Sequence, residues 1–218
     1  MPRAALSPVE IEAFRDRIRD AAARLFASAG YSAVTMRAIA ADVGCSAMTP
    51  YRYFASKEEI FAVVRAEAFR RFADAQERGV RGIDDPEQRL RTLGRVYADF
   101  ARRDPDSYRL MFELGQAPAS DSPELLREGE RAWRVIRDAV AKAIDAGVLR
   151  GDPDTVAHVF WAGTHGVVSL ELAGKLQLGR TLDDLIDPMA DTLINGSGKK
   201  GSGPFSSRKR GLTPFSRA

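Results

Sequence analysis

The chain is poor in the residues that build cross-linked or metal-bound architecture. It holds one cysteine, Cys45, so an intrachain disulfide and a multi-cysteine zinc site are both excluded. Its only histidines, His158 and His165, stand seven positions apart. On a helix that is about 10 Å, too far for one metal ion to join them. No Ser-His-Asp spacing, no Gly-rich phosphate loop and no metal motif occurs, so no catalytic residue, metal ligand or cofactor is expected. The N-terminus lacks a charged-then-apolar leader, and the expectation is a protein of the reducing cytoplasm. The most apolar stretch, His158 to Gly174, is broken by Thr164, Ser169, Glu171 and both histidines. A membrane span needs about 20 mainly apolar residues, so no membrane partner is expected.

What is present is ordinary globular material: 218 residues, 44% hydrophobic and 29% charged, with a net charge of +3. That is enough for a sizeable core and one or two domains. The charge is unevenly placed. Residues 195–218 contain Lys199, Lys200, Arg208, Lys209, Arg210 and Arg217 and no acid, so this stretch alone is +6 and residues 1–194 are −3. Within them, residues 1–57 are +3 and residues 58–194 are −6. The tail is rich in Gly, Ser and Pro without apolar periodicity, and disorder is expected there.

Apolar residues recur at helical spacing almost throughout. Ile11, Phe14, Ile18, Ala22, Leu25, Phe26 and Ala29 mark a first helix, which Gly30 ends as a left-handed cap. Thr35 precedes a short helix bearing Met36, Ile39, Ala40 and Val43, closed by Gly44. A third segment runs from about Ser46 to Phe54. Ser56 and Glu59 form a capping box for a fourth helix, which carries Ile60, Val64, Ala68 and Phe72 to near Gly79. Pro86, Pro105, Pro123 and Pro153 each open another, and the last runs from Leu182 to a stop at Asn195-Gly196. The sum is an all-α protein of about nine helices.

Residues 35–54 read as a helix-turn-helix in which Gly44 supplies the positive φ of the tight turn. Thr35 caps the first helix, whose N–H groups and positive dipole end suit a phosphate. On the second helix Cys45, Pro50 and Phe54 fall inward, against Ile39 and the first helix. Ala47, Met48, Tyr51 and Arg52 fall outward, where a major groove would be met. Pro50 leaves two starts open. Either Ser46 is the N-cap and Pro50 deletes the first helical hydrogen bond, or Thr49 is the N-cap with Pro50 at the favoured first position.

At this level the segment resembles the TetR family of bacterial transcriptional regulators. That pattern has Thr before the short helix, Ile-Ala within it, Gly-hydrophobic-Ser at the turn, Tyr-x-His-Phe, and Lys opening the next helix. Here these are Thr35, Ile39-Ala40, Gly44-Cys45-Ser46, Tyr51-Arg52-Tyr53-Phe54 and Lys57. The likeness covers about residues 12–72, with Tyr53 in place of the usual His and Pro50 in place of the usual Leu. It implies that Tyr51, Tyr53 and Lys57 hold phosphates, as does Thr35 with nearby Arg37. Ser46, Ala47, Met48 and Arg52 lie where the family reads bases or neighbouring backbone.

The run Phe160 to Leu172 resembles the WHG-type C-terminal domain of a subset of these regulators, here through Trp161, His165 and Gly166. Ala162, Gly163, Gly166 and Ser169 leave a low ridge that another helix can approach, and Trp161 can stack on His165 one turn away. That stretch reads as a packing seam, as a ligand handle at His165 or as a dimer contact. The resemblance implies a homodimer through the eighth and ninth helices of two chains. It also implies a small-molecule effector in a pocket between the fourth and eighth, with Phe69, Tyr97, Phe100, Tyr108, Met111, Phe112, Trp133 and His165 as candidate liners.

The expected organisation is a DNA-binding region at 1–57, a helical ligand-binding and dimerisation region at 58–194, and a basic tail at 195–218. The implied function is a repressor released from a palindromic double-stranded DNA operator by its effector. The alternatives are a small-molecule binding protein or enzyme with a vestigial helix-turn-helix, and a DNA binder that answers to no effector. Deleting the tail is expected to weaken binding to random-sequence DNA at low salt while leaving site preference intact. Competition titrations of the full and truncated chains measure both.

Overall fold

A computed structural model describes residues 7–112, 122–177 and 179–198. These form eight α-helices and one 3-10 turn, with no strand among the described residues. The helices are α1 (Pro8–Ala29), α2 (Met36–Val43), α3 (Lys57–Gly79), α4 (Pro86–Arg103), α5 (Pro105–Phe112), α6 (Pro123–Asp145), α7 (Pro153–Leu172) and α8 (Leu182–Gly198). The 3-10 turn, Pro50–Arg52, takes the place of the expected third helix. Residues 199–218, most of the expected disordered tail, lie outside the described residues.

Helix starts follow side-chain chemistry. At α1 the Ser7 Oγ accepts the Glu10 N–H at 3.3 Å while the Glu10 carboxylate accepts the Ser7 N–H at 2.8 Å, a complete capping box ahead of Pro8. Asp85 and Asp152 cap α4 and α7 in the same sense, accepting from Gln88 N and Thr155 N. At α3 the Ser56 Oγ accepts the Glu59 N–H as expected, but the Glu59 carboxylate takes the N–H of Ala55.

Two further local expectations are corrected. Gly30 has φ +80° and ψ 162°, outside the left-handed helical region and in one that only glycine populates readily. α8 does not stop at Asn195-Gly196 but continues to Gly198. Ile194, 6% exposed, is packed in the same apolar cluster as Leu90 and Phe160, and this anchors the last turn against poor helix formers. At the start of α8, Asp183 and Asp184 are both engaged. Asp183 pairs with Arg102 at 2.7 Å. Asp184 accepts the Thr181 N–H at 2.9 Å while its own N–H meets the Thr181 Oγ1, a second capping box, and these bonds hold its carboxyl below the usual range.

The described residues fall into two compact units. One takes residues 7–69, 106–112 and 122–127; the other takes 70–105, 128–177 and 179–198. In the first, α1 packs on α2 over Ile18, Ala22, Phe26, Ile39 and Ala40, all buried. Phe26, Tyr31 and Phe61 close that core, with Phe61 centred 4.9 Å from both other rings. α5 is fixed here by arginine. Arg65 Nε donates to Leu110 O at 3.1 Å and Arg109 Nη1 to Ala27 O at 3.5 Å. Burial pushes the Arg65 guanidinium down.

In the second unit, Val80, Leu90, Leu93, Val140, Leu149 and Phe160 form the apolar centre. α8 lies along α4 and α7. Arg91, Arg95 and Arg102 of α4 pair with Asp191, Asp187 and Asp183 of α8, the Arg95 pair being bidentate at 2.8 and 2.7 Å. Such exposed pairs contribute little singly, about 0–1 kcal/mol, but three in register fix how the helices align. Arg131 of α6 gathers Asp74 and Glu77 of α3 with Glu128 of its own helix. α3 and α4 touch closely at Gly79, where a Cβ would run into Val96 Cγ2. Gly79→Ala is expected to destabilise the chain by about 1–3 kcal/mol through overpacking. Adding Val96→Ala should recover part of the loss, as read by urea denaturation.

Candidate nucleic-acid interface and effector residues

The helix-turn-helix turns on a Schellman motif. Gly44 has φ +77° and ψ 39°, its N–H reaches Ala41 O at 3.1 Å, and the Cys45 N–H reaches Ala40 O at 2.9 Å. Beyond it the Thr49 N–H donates to Ser46 O at 2.8 Å and their hydroxyls meet at 2.8 Å. Thr49 sits in helical geometry (φ −65°, ψ −43°) and its side chain caps nothing. Pro50 thus occupies a first position, as in the second of the two alternatives. Only one turn follows, closed by the Tyr53 and Phe54 N–H groups, both 3.0 Å from Pro50 O.

The faces sort as the spacing requires. Pro50 and Phe54 are buried and Cys45 is half-buried. Ser46, Ala47, Met48, Tyr51 and Arg52 are exposed, Met48 by 69% and Tyr51 by 49%. Thr35 and Arg37 are exposed at the start of α2, with the Thr35 Oγ1 accepting the Ala38 N–H at 3.1 Å. An apolar Met and an amphipathic Tyr held out in water beside two arginines suit a grooved polyanion better than a second helix.

Two candidates are held more tightly than their spacing implies. Lys57 Nζ donates to Tyr31 O at 3.0 Å and lies 4.1 Å from the Tyr31 ring centre. The Tyr31 hydroxyl donates to Glu58 at 2.5 Å; burial, then this bond, pushes it up to about 12, while the same bond lowers Glu58. Tyr53 is half-buried with its ring 4.9 Å from Phe14. Three residues missed by sequence reasoning position these groups. Tyr31 seats Lys57. Arg15 Nη1 donates to Tyr53 O at 3.0 Å and stacks on Phe54 at 4.7 Å. Arg17 Nη2 donates to Val43 O at 2.8 Å, at the C-terminal end of α2, where a cation is favourable. Arg15 and Arg17 bear on residues 38 and 26 positions away, and no local pattern signals that.

The eight effector candidates divide between the units. Phe69, Tyr108, Met111 and Phe112 are gathered in the first, with Phe112 centred 5.9 Å from Phe69 and 5.3 Å from Tyr108. Tyr97, Phe100, Trp133 and His165 belong to the second. There the Tyr97 hydroxyl hydrogen-bonds with His165 Nδ1 at 2.9 Å and Ser169 Oγ with His165 Nε2 at 3.3 Å. Phe72 joins Tyr97 and Phe100, its ring 5.1 Å from each. Trp161 lies 6.0 Å from His165, and Trp133 lies 4.2 Å from His158. At Gly163 the low ridge does admit a helix: a Cβ there would meet Met189 Sδ at 3.0 Å.

The chain matches two family models, that for bacterial regulatory proteins of the tetR family over residues 18–64 and that for the tetracyclin repressor-like C-terminal domain over residues 90–193. It belongs to the TetR family. It is similar to the HTH-type transcriptional activator FasR of Mycolicibacterium smegmatis, 32% identical over 62% of this chain and 61% of that one. It is also similar to the HTH-type transcriptional regulator HbdR of Aromatoleum, 25% identical over 66% of this chain and 63% of that one. The matches thus span less than two thirds of either curated relative. A solved structure of a protein of unknown function from Rhodococcus sp. RHA1 shares the fold, with a TM-score of 0.74 and 23% identity over 91% of this chain and all of that one.

The turn itself is testable. No atom lies within 4 Å of where a Cβ at Gly44 would stand, so substitution there meets only backbone strain. Gly44→Val is expected to cost about 1–2 kcal/mol and Gly44→Asn clearly less, because Asn tolerates the left-handed region. Equal losses for the two in urea denaturation would contradict this account of the turn.

Proposed function

We propose that the chain is a homodimeric DNA-binding transcriptional regulator of the cytoplasm, a repressor released from a palindromic operator by a small-molecule effector. The observation that carries this is the exposed face Ala47, Met48, Tyr51 and Arg52, set beside Thr35 and Arg37 by the Gly44 turn. Thr35, Arg37, Tyr51, Tyr53 and Lys57 hold phosphates, while Ser46, Ala47, Met48 and Arg52 meet base edges or neighbouring backbone. It is a binding protein rather than an enzyme.

The reading head is assigned to residues 1–57, the effector and dimer region to 58–194 and a basic extension to 195–218. Dimerisation through α7 and α8 is supported by a chargeless exposed stripe on α7, Val159, Ala162, Gly166 and Leu170, of which Val159 and Leu170 are each 47% exposed. The Trp161, His165 and Gly166 pattern supports membership of the WHG-type subset. Within the second unit, Tyr97, Phe100, Trp133 and His165 are the groups assigned to receive the effector. No helix among the described residues is long and apolar enough to cross a membrane.

In gel shifts against DNA flanking the gene, Tyr51→Ala and Arg37→Ala are each expected to weaken binding about tenfold. Arg37→Ala should also lower the salt slope by about one. Unchanged affinity in both variants would remove the assignment. Because the M. smegmatis relative is named an activator, a reporter fused to the bound site should fall in the presence of the protein; a rise reverses the sign proposed.

A further inference from the structure

Gln76 lies on α3 one turn after Phe72 and one turn before Val80. Both neighbours on that face are interior. Phe72 packs on Tyr97 and Phe100, and Val80 belongs to the apolar cluster with Leu90 and Leu93. Gln76 itself is 3% exposed, and its side-chain carbonyl Oε1 is buried with no hydrogen-bond partner. It is the only such buried side-chain atom among the described residues. An orphaned acceptor is costly, and a leucine of similar volume would avoid that cost. Phe72, one turn before Gln76, packs on Tyr97, the first member of the Tyr97–His165–Ser169 hydrogen-bonded series.

We infer that Gln76 Oε1 is the polar anchor of a ligand site within this unit, and that its ligand is a neutral molecule with an apolar or aromatic body and one hydrogen-bond donor, O–H or N–H. The inference deepens the effector reading above and rests on it. The class follows from the surroundings. A carbonyl oxygen selects a donor and repels a carboxylate. Arg131, the cation that α6 brings to α3, is engaged by Asp74, Glu77 and the buried Glu128, so the adjoining charge opposes an anion rather than calling for one. Phe72, Tyr97 and Phe100 supply the aromatic surfaces on which such a body packs.

Calorimetric titration of the full chain with three probes of one shape separates the possibilities. Phenol carries a donor, anisole only an acceptor and toluene neither. Phenol is expected to bind at least about fivefold more tightly than the other two, and Gln76→Leu to abolish that preference while retaining toluene. Gln76→Met serves if the leucine variant fails to fold. Failure of phenol to bind, equal binding of the three probes, or a phenol preference that survives Gln76→Leu overturns the inference. A gel shift of the same preparation distinguishes this from failure of the regulator reading. A retained shift with a failed phenol series removes only the donor anchor, whereas a lost shift removes the regulator.

Discussion

Pro50 has no N–H to give, and the outward face proposed to read DNA is built around that deficiency. A helix spanning Ser46 to Phe54 would need the missing donor one turn in. The chain instead spends Ser46 O on Thr49, and then gathers two N–H groups on Pro50 O to finish a single 3-10 turn. The outward residues are consequently carried by a turn rather than by a rod. Met48 stands before the 3-10 turn and Tyr51 within it. Rigidity comes from outside the motif. Arg15 and Arg17 reach from α1 to the carbonyls at Tyr53 and Val43, and Tyr31 seats Lys57. The head works as a surface clamped from behind, with α1 supplying hydrogen bonds that the short segments cannot make among themselves.

Much of this was legible in the sequence where the cause is local. Thr35, Gly44 and the prolines that open α4 to α7 announce their roles within a few residues, because caps and positive φ are decided there. The outward set at Ala47 to Arg52 was also legible, since inward Pro50 and Phe54 fix its complement. What was not legible depends on distance in the chain. The carbonyls that Arg15 and Arg17 satisfy lie just past the 3-10 turn and at the end of α2, and nothing near an arginine tells which orphan carbonyl it will cap. α8 outran its apparent Asn-Gly stop because Ile194 is held by residues from α4 and α7, a tertiary effect that outweighs propensity.

The second unit is ordered differently. Its centre is apolar, but it also holds a polar series of Tyr97, His165 and Ser169, with Phe72 packed on Tyr97 one helical turn before the buried amide of Gln76. The sequence pointed to Tyr97 and His165 as liners by resemblance. It gave no reason to pair them, since 68 positions separate the two. Gln76 went unnoticed because a glutamine among helical arginines and acids reads as surface; only its burial distinguishes it.

The ladder between α4 and α8 has a further consequence. Asp183, Asp187 and Asp191 recur every four residues, so on an isolated helix they would stack on one side and repel. Pro188 stands among them with no N–H to contribute. Both features oppose a free-standing α8. The arginines of α4 convert the repulsion into attraction only when the two helices are side by side. α8 is therefore a conditional helix: it takes shape on a template already in place, and the last described part of the chain to be made is also the part that must wait for the rest.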